Sequence, residues 1–239
     1  MNSSRFPGKP LKKINGVPMI EIIYRKVKAC KFINKTIIAT CDYEIKNHIK
    51  KIGGIAIMTS KKHKRASDRC AEALKKYEKL NKVTFDIIVM VQGDEPMINQ
   101  KMIKQSLQTM LHDKKVQVVN LFSKIKSESE FKDKNCIKVV CDKKMNAIYF
   151  SRAPIPAKSR VKHNLQRKQI CIIPFRRKFL MKYLKFKPTP LEKIESIDMM
   201  RIIEHGFDVK MVQTNFDTQA VDTRSDLIKV EKMIKRVSN

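Results

Sequence analysis

No apolar run in these 239 residues is long enough to cross a bilayer. The longest, such as Ile-Ile-Val-Met-Val at 87–91, fall far short of the roughly 20 residues a spanning helix needs. No secretory pattern opens the chain either: the N-terminus is polar and reaches Pro7 and Gly8 at once. The expected location is therefore the cytoplasm. The six cysteines include no C-x-x-C pair, and Cys136 and Cys141 bracket a strand-like Ile-Lys-Val-Val. That spacing suits neither a zinc knuckle nor a redox dithiol, so reduced core cysteines are expected. There is no internal repeat and no low-complexity linker.

Acidic residues are scarce. Twenty-three Asp and Glu against 52 Lys and Arg give a formal charge of +29. Such an excess suits a nucleic-acid binder. Here, however, it is mostly Lys spread along the whole chain, whereas a DNA-reading module concentrates Arg on one helix or arm. The densest run is Lys61–Arg65. The charge reads as solvated surface that also attracts anionic substrates, with no nucleic acid and no membrane as partner.

What is present is an alternation of short β-branched runs with amphipathic stretches. Strands are predicted over Thr36–Thr40, Ile55–Thr59 and Asp86–Val91, with helices over Tyr43–Lys51, Ser67 to about Leu80, and Gln100–His112. Ser67 is the expected N-cap of its helix. This rhythm indicates right-handed crossovers and a mostly parallel sheet. From Val116 helices thin out, and strands are predicted over Val116–Phe122, Ile137–Cys141, Ala147–Phe150 and Gln169–Phe175. A helix over Pro190–His205, a strand over Val209–Gln213 and a helix over Arg224–Val237 close the chain. The expected fold class is α/β: a three-layer sandwich on a Rossmann-like sheet, with a mixed-strand extension over about 115–190. One domain is expected to span residues 1–239, and the extension is its candidate dimer lobe.

Three segments carry chemistry. Ser3-Ser4-Arg5-Phe6-Pro7-Gly8-Lys9 combines small residues, which let backbone amides approach an anion, with fixed positive charge for a triphosphate. It is not the P-loop fingerprint. Val91-Gln92-Gly93-Asp94-Glu95-Pro96 ends an apolar strand in an acid, where α/β enzymes place Mg²⁺ ligands. Asp222, just before the last helix, reads either as an N-cap or as a second metal ligand beside Asp94, and spacing does not decide between them.

Together these segments resemble the 3-deoxy-manno-octulosonate cytidylyltransferase (CMP-Kdo synthetase) family. The matching motifs are the S-x-R-[LF]-P-G-K-P-L loop at Ser3–Leu11, I-N-G-x-P-M-I at Ile14–Ile20, and V-Q-G-D-E-P at Val91–Pro96. Y-F-S-R-A-x-I-P at Tyr149–Pro156, P-L-E-x-I-E at Pro190–Glu195 and V-D-T-x-x-D-L at Val221–Leu227 complete the series.

The resemblance implies transfer of CMP from CTP to the anomeric hydroxyl of an acidic keto-sugar. It further implies Mg²⁺ as cofactor, a homodimer, and a role in lipopolysaccharide or capsule synthesis. The alternatives are another ulosonic or nonulosonic acceptor, such as amino-Kdo or a sialic-acid-like acid, or, on charge alone, a basic nucleic-acid-binding protein. Ser3, Arg5, Lys9, Ser67 and Arg69 are implied to contact the nucleotide, with Lys9, Arg5 and Asp94 catalytic. Asp94 and Asp222 are implied to hold the metal, and Gln92, Arg152, Gln169, Glu192 and Glu195 to meet the sugar.

Three departures from the family pattern stand out. The family places an apolar strand and P-A-R ahead of the first loop, so Met1 is expected to be internal to a longer reading frame that carries the first central strand. Arg65-Ala66 stands where the family has Ser-Gly, and Gln169 and Ile173 replace a His and a Tyr of the H-L-G-I-Y pattern.

Overall fold

The computed structural model describes residues 6–157, 165–216 and 218–238. By contacts the chain divides into two compact units. One comprises Met1–Thr84, Val91–Lys104 and Asp217–Asn239, the other Phe85–Met90 and Gln105–Phe216.

The first unit opens with a 3-10 turn at Lys9–Leu11, followed by a two-residue hairpin of β1 (Lys13–Ile14) and β2 (Val17–Pro18). Gly8 precedes the turn at φ 69°, a left-handed conformation that favours glycine. Helix α1 (Met19–Lys28) was not foreseen, although its pattern is plain: Met19, Ile20, Ile23, Tyr24 and Val27 form one buried stripe. Strand β3 (Ile37–Thr40), helix α2 (Tyr43–Lys51), strand β4 (Ile55–Met58) and helix α3 (Ala66–Asn81) follow.

Strands β3 and β4 pair in parallel, Ile37 opposite Ile55, as the intervening helix requires. Between α1 and α2 lies a cluster of Ile20, Tyr24, Ile45 and Ile49. Burying each of these side chains is worth about 1.5–3 kcal/mol. Gly54 lies against this cluster. A Cβ there would meet Ile49 Cγ2 at 2.7 Å and Tyr24 Cζ at 2.9 Å, so the packing admits no side chain at that position.

Strand β5 (Ile87–Val91) and helix α4 (Gln100–His112) pass through both units. The second unit then builds β6 (Val119–Lys124), α5 (Glu128–Lys132), β7 (Lys138–Cys141), β8 (Ala147–Ser151), β9 (Arg167–Ile170) and β10 (Ile172–Arg176). Helices α6 (Arg177–Tyr183), α7 (Pro190–Glu195) and α8 (Asp198–Glu204) and strand β11 (Lys210–Gln213) complete it. Helix α9 (Arg224–Ser238) returns to the first unit.

Five strands form one sheet in the order β11-β6-β9-β7-β8. β11 runs parallel to β6, while β6–β9, β9–β7 and β7–β8 are antiparallel. The architecture is α/β as expected, and this sheet is mixed. The single strand expected over Gln169–Phe175 is two, divided at Cys171: β9 joins the five-stranded sheet, while β10 pairs with β5.

The helix expected over Pro190–His205 is also two. Ser196 takes a left-handed conformation (φ 57°, ψ 46°) and closes α7 before α8 begins at Asp198. Pro190 at the start of α7 and Gly206 (φ 77°) after α8 stand where the sequence placed them. The first turn of α7 is capped from a distance, since the Leu191 and Glu192 amides each donate to the Glu204 carboxylate at 3.1 Å. Among the described residues no helix is long and apolar enough to cross a membrane.

Candidate active site

In the first unit the Lys9 ammonium sits between two carboxylates. It donates to Asp94 Oδ2 at 2.9 Å and to Asp222 Oδ1 at 3.2 Å. Burial alone would depress its pKa, but the charges and hydrogen bonds of Asp94 and Asp222 outweigh that and hold it above the ordinary lysine value.

The local causes can be traced. Lys9 is the first residue of the 3-10 turn whose entry Gly8 allows. Asp94 follows the end of β5, and its own carbonyl accepts the Val221 amide at 2.9 Å, which draws residues 220–222 alongside. The N-cap reading of Asp222 does not hold. Thr223 Oγ1 accepts the Asp226 amide at 3.2 Å at the start of α9, so Thr223 provides the cap and the Asp222 side chain goes to Lys9.

Asp226, to which no role was assigned, accepts the amides of Asp222 (3.2 Å) and Thr223 (2.9 Å) and fixes the backbone that presents Asp222. Its signal was already in V-D-T-x-x-D-L, three residues after Thr223, the reciprocal spacing of a capping box.

The Lys9 ammonium marks the point on which the two carboxylates converge. Hard oxygen donors of this kind suit a divalent cation such as Mg²⁺, which takes one or two carboxylates and completes its shell with water and phosphate. Among the described residues no cluster of three or more His, Cys, Asp or Glu forms a closed metal cage. The residues fit a metal shared with a phosphate ligand.

Ser67 does not cap α3, contrary to expectation. Arg65 occupies that position, and Ser67 lies within the first turn, fully buried. Arg69, two residues further on, donates to Thr59 Oγ1 at 2.5 Å and to the Ser60 carbonyl at 3.3 Å. Glu72 fastens the same loop, accepting the Ser60 amide at 2.9 Å, Lys76 Nζ at 2.6 Å, and a hydrogen bond with His63. Lys76 and the Ser60 amide lower its carboxyl pKa to about 2. Gln92 is half-buried just after β5, in the first unit. Ser3 and Arg5 lie outside the described residues.

The second unit holds the other residues expected on the sugar side. Arg152 follows β8 and is gripped on all sides: its amide donates to Glu195 Oε2 at 2.8 Å, its Nε to the Glu195 carbonyl at 2.8 Å, and its Nη1 to the Lys134 carbonyl at 3.0 Å. The break after α7 makes this possible, because the last carbonyls of a helix lack intrahelical partners and face a cation favourably. Glu195 also accepts Ser151 Oγ at 2.8 Å and Tyr149 OH at 3.2 Å. It organises Arg152 and β8 instead of projecting a free carboxylate.

Glu192 is likewise not open to a ligand. It is 1% exposed, and Arg201 donates to both its oxygens at 2.6 Å, so it binds α7 to α8. Gln169 is half-buried on β9 and donates to Asn120 Oδ1 at 2.5 Å.

The chain is similar to known proteins over nearly its whole length. The cytidylyltransferase family pattern matches residues 1–219. A 3-deoxy-manno-octulosonate cytidylyltransferase of Fusobacterium nucleatum subsp. nucleatum is 38% identical over 234 residues, covering 98% of this chain and 93% of the relative. The protein of that name from Geobacter metallireducens is 36% identical over 246 residues, covering 98% and 94%. A solved structure of CMP:2-keto-3-deoxy-manno-octonic acid synthetase complexed with CTP superposes with a TM-score of 0.87 at 32% identity, covering 98% of this chain and 95% of that one. Over nearly its whole length this chain therefore belongs to the cytidylyltransferase family, among the 3-deoxy-manno-octulosonate cytidylyltransferases.

Proposed function

We propose that this chain transfers CMP from CTP to the anomeric hydroxyl of 3-deoxy-manno-octulosonate, giving CMP-Kdo and pyrophosphate. The observation that carries the reading is the convergence of Lys9, Asp94 and Asp222 on one point. Its support comes from relatives of that name along the full chain and from a similar structure holding CTP.

In the reaction the anomeric oxygen attacks the α-phosphorus, the new P–O bond forms as the bond to pyrophosphate breaks, and the hydroxyl proton passes to solvent. Lys9 neutralises phosphoryl charge from a fixed position, so little reorganisation is needed as that charge shifts. Asp94 and Asp222 would hold Mg²⁺, which would supply Lewis-acid neutralisation of the phosphate oxygens. With CTP bound, the Lys9 ammonium would donate to phosphate oxygens in place of its carboxylate partners. Arg69 and the loop it ties down support the nucleotide, with Ser3 and Arg5 as further phosphate contacts.

Arg152 receives the sugar carboxylate. Its Nη2 has no partner among the described residues, and a planar guanidinium suits a carboxylate. Gln92 and Gln169 complete the sugar contacts. The chain acts as a cytoplasmic homodimer in lipopolysaccharide or capsule synthesis. Gln169, held by Asn120 where the family pattern has His, favours a second reading in which the acceptor is a related ulosonic acid such as amino-Kdo.

The test is pyrophosphate release from CTP and Mg²⁺ with a panel of acidic keto-sugars. Turnover with Kdo supports the first reading, and turnover with amino-Kdo alone the second. Silence with every acceptor from folded protein contradicts both.

A further inference from the structure

Lys138, the first residue of β7, is fully buried, a rare place for a lysine. Its ammonium has three hydrogens to donate, and the fold supplies three backbone carbonyls: Asp133 at 2.7 Å, Cys136 at 2.7 Å and Arg152 at 2.9 Å. Among the described residues no carboxylate accepts from this ammonium; the three acceptors are neutral carbonyls. Desolvation accordingly pulls the Lys138 pKa below the ordinary lysine value, with the neighbouring Cys136 and Asp133 acting the other way. A well-packed apolar side chain generally serves stability as well as a buried charge does, or better.

What the ammonium does that an apolar group cannot is join two segments. It ties the loop from Asp133 to Cys136 to the backbone of Arg152. That loop carries the Lys134 carbonyl, which itself receives Arg152 Nη1. Lys138 thus acts on Arg152 twice, directly at its carbonyl and indirectly through the carbonyl that receives its guanidinium. The Glu195 carboxylate holds the Arg152 amide from the other side. Both main-chain polar groups of one arginine are held by charged side chains of opposite sign.

We propose that Lys138 is a positioning residue for acid recognition. Its ammonium, caged by three carbonyls, fixes the orientation in which Arg152 offers its guanidinium to the keto-sugar carboxylate. The inference rests on the reading of Arg152 as the carboxylate ligand.

The experiment is steady-state kinetics of the full chain carrying Lys138→Met, Arg152→Met or both, varying Kdo and CTP separately and recording thermal unfolding of each variant. Lys138→Met should raise KM for Kdo about tenfold while KM for CTP stays within about twofold, a split that a general loss of structure does not produce. The double variant should be little worse than Arg152→Met alone, because coupled residues are not additive. Should Lys138→Met fail to fold, Lys138→Gln keeps donors to the carbonyls and should show the same split in weaker form.

A folded Lys138 variant with unchanged KM for Kdo, beside an Arg152→Met that raises it, overturns the proposal and leaves the reading of Arg152 standing. An unchanged KM for Kdo in Arg152→Met removes that reading and the proposal with it. Equal rises in both KM values also contradict the positioning role.

Discussion

Val221 donates its backbone amide to the carbonyl of Asp94 at 2.9 Å, and this bond joins the end of β5 to the segment before α9. The consequence is electrostatic. Two carboxylates far apart in sequence face the one ammonium of Lys9.

If that convergence drives the chemistry, Asp222→Asn should lower kcat by a factor on the order of 10²–10³, the scale of losing one preorganised electrostatic group. The chain should stay folded, because Asp222 is part-exposed and Thr223 keeps the helix cap. Pyrophosphate release beside thermal unfolding checks this. Near-normal turnover in folded Asp222→Asn would remove Asp222 from the site.

The buried pair on α7 and α8 makes a stability prediction. Glu192→Gln leaves Arg201 buried without its countercharge and should destabilise by about 3–5 kcal/mol. Replacing both residues with apolar ones should cost clearly less. Urea unfolding of the two variants measures the difference. A loss confined to sugar binding, with stability unchanged, would return Glu192 to the list of sugar ligands.

Glu72 makes a pH prediction whose sign follows from its depressed pKa. Its folded carboxyl titrates near 2 against an ordinary 4.5. Its contribution is therefore fully present above about pH 4.5 and disappears as pH falls through 2. The stability gap between the wild-type chain and Glu72→Gln should be widest at neutral pH and shrink steadily below about 4.5. Denaturant curves at a series of pH values test it, and a gap that widens on acidification contradicts the assignment.

Burial, with Glu130 nearby, pushes the Cys136 thiol up to about 12. Cys136 should thus stay protonated and resist alkylation at pH 8, since the thiolate is the nucleophile. Mass-spectrometric mapping after iodoacetamide treatment checks this, and early labelling of Cys136 would contradict it.

Much of this fold was legible because its signals are local. Tyr43–Lys51 and Gln100–His112 have the same bounds in the structure as in the sequence reading, since each is an amphipathic run between turn residues. The signal of helix α1 is equally local, although its buried stripe begins inside the motif at Ile14–Ile20 and continues beyond it.

Other features depend on tertiary partners. Nothing in Pro190–His205 announces a left-handed Ser196, yet that break exposes the Glu195 carbonyl to Arg152. The pairing of Asp94 with Asp222 needs the non-local bond from Val221. A lysine at position 138 reads as surface, and only the three carbonyls around it reveal otherwise.

The most direct test is pyrophosphate release by the full chain with CTP and Kdo, with and without Mg²⁺, beside Asp94→Asn. Turnover should stop on chelation, return with added Mg²⁺, and be lost in the folded variant. Turnover that persists in Asp94→Asn, or that ignores chelation, would contradict the assignment of Lys9, Asp94 and Asp222 as the reaction centre.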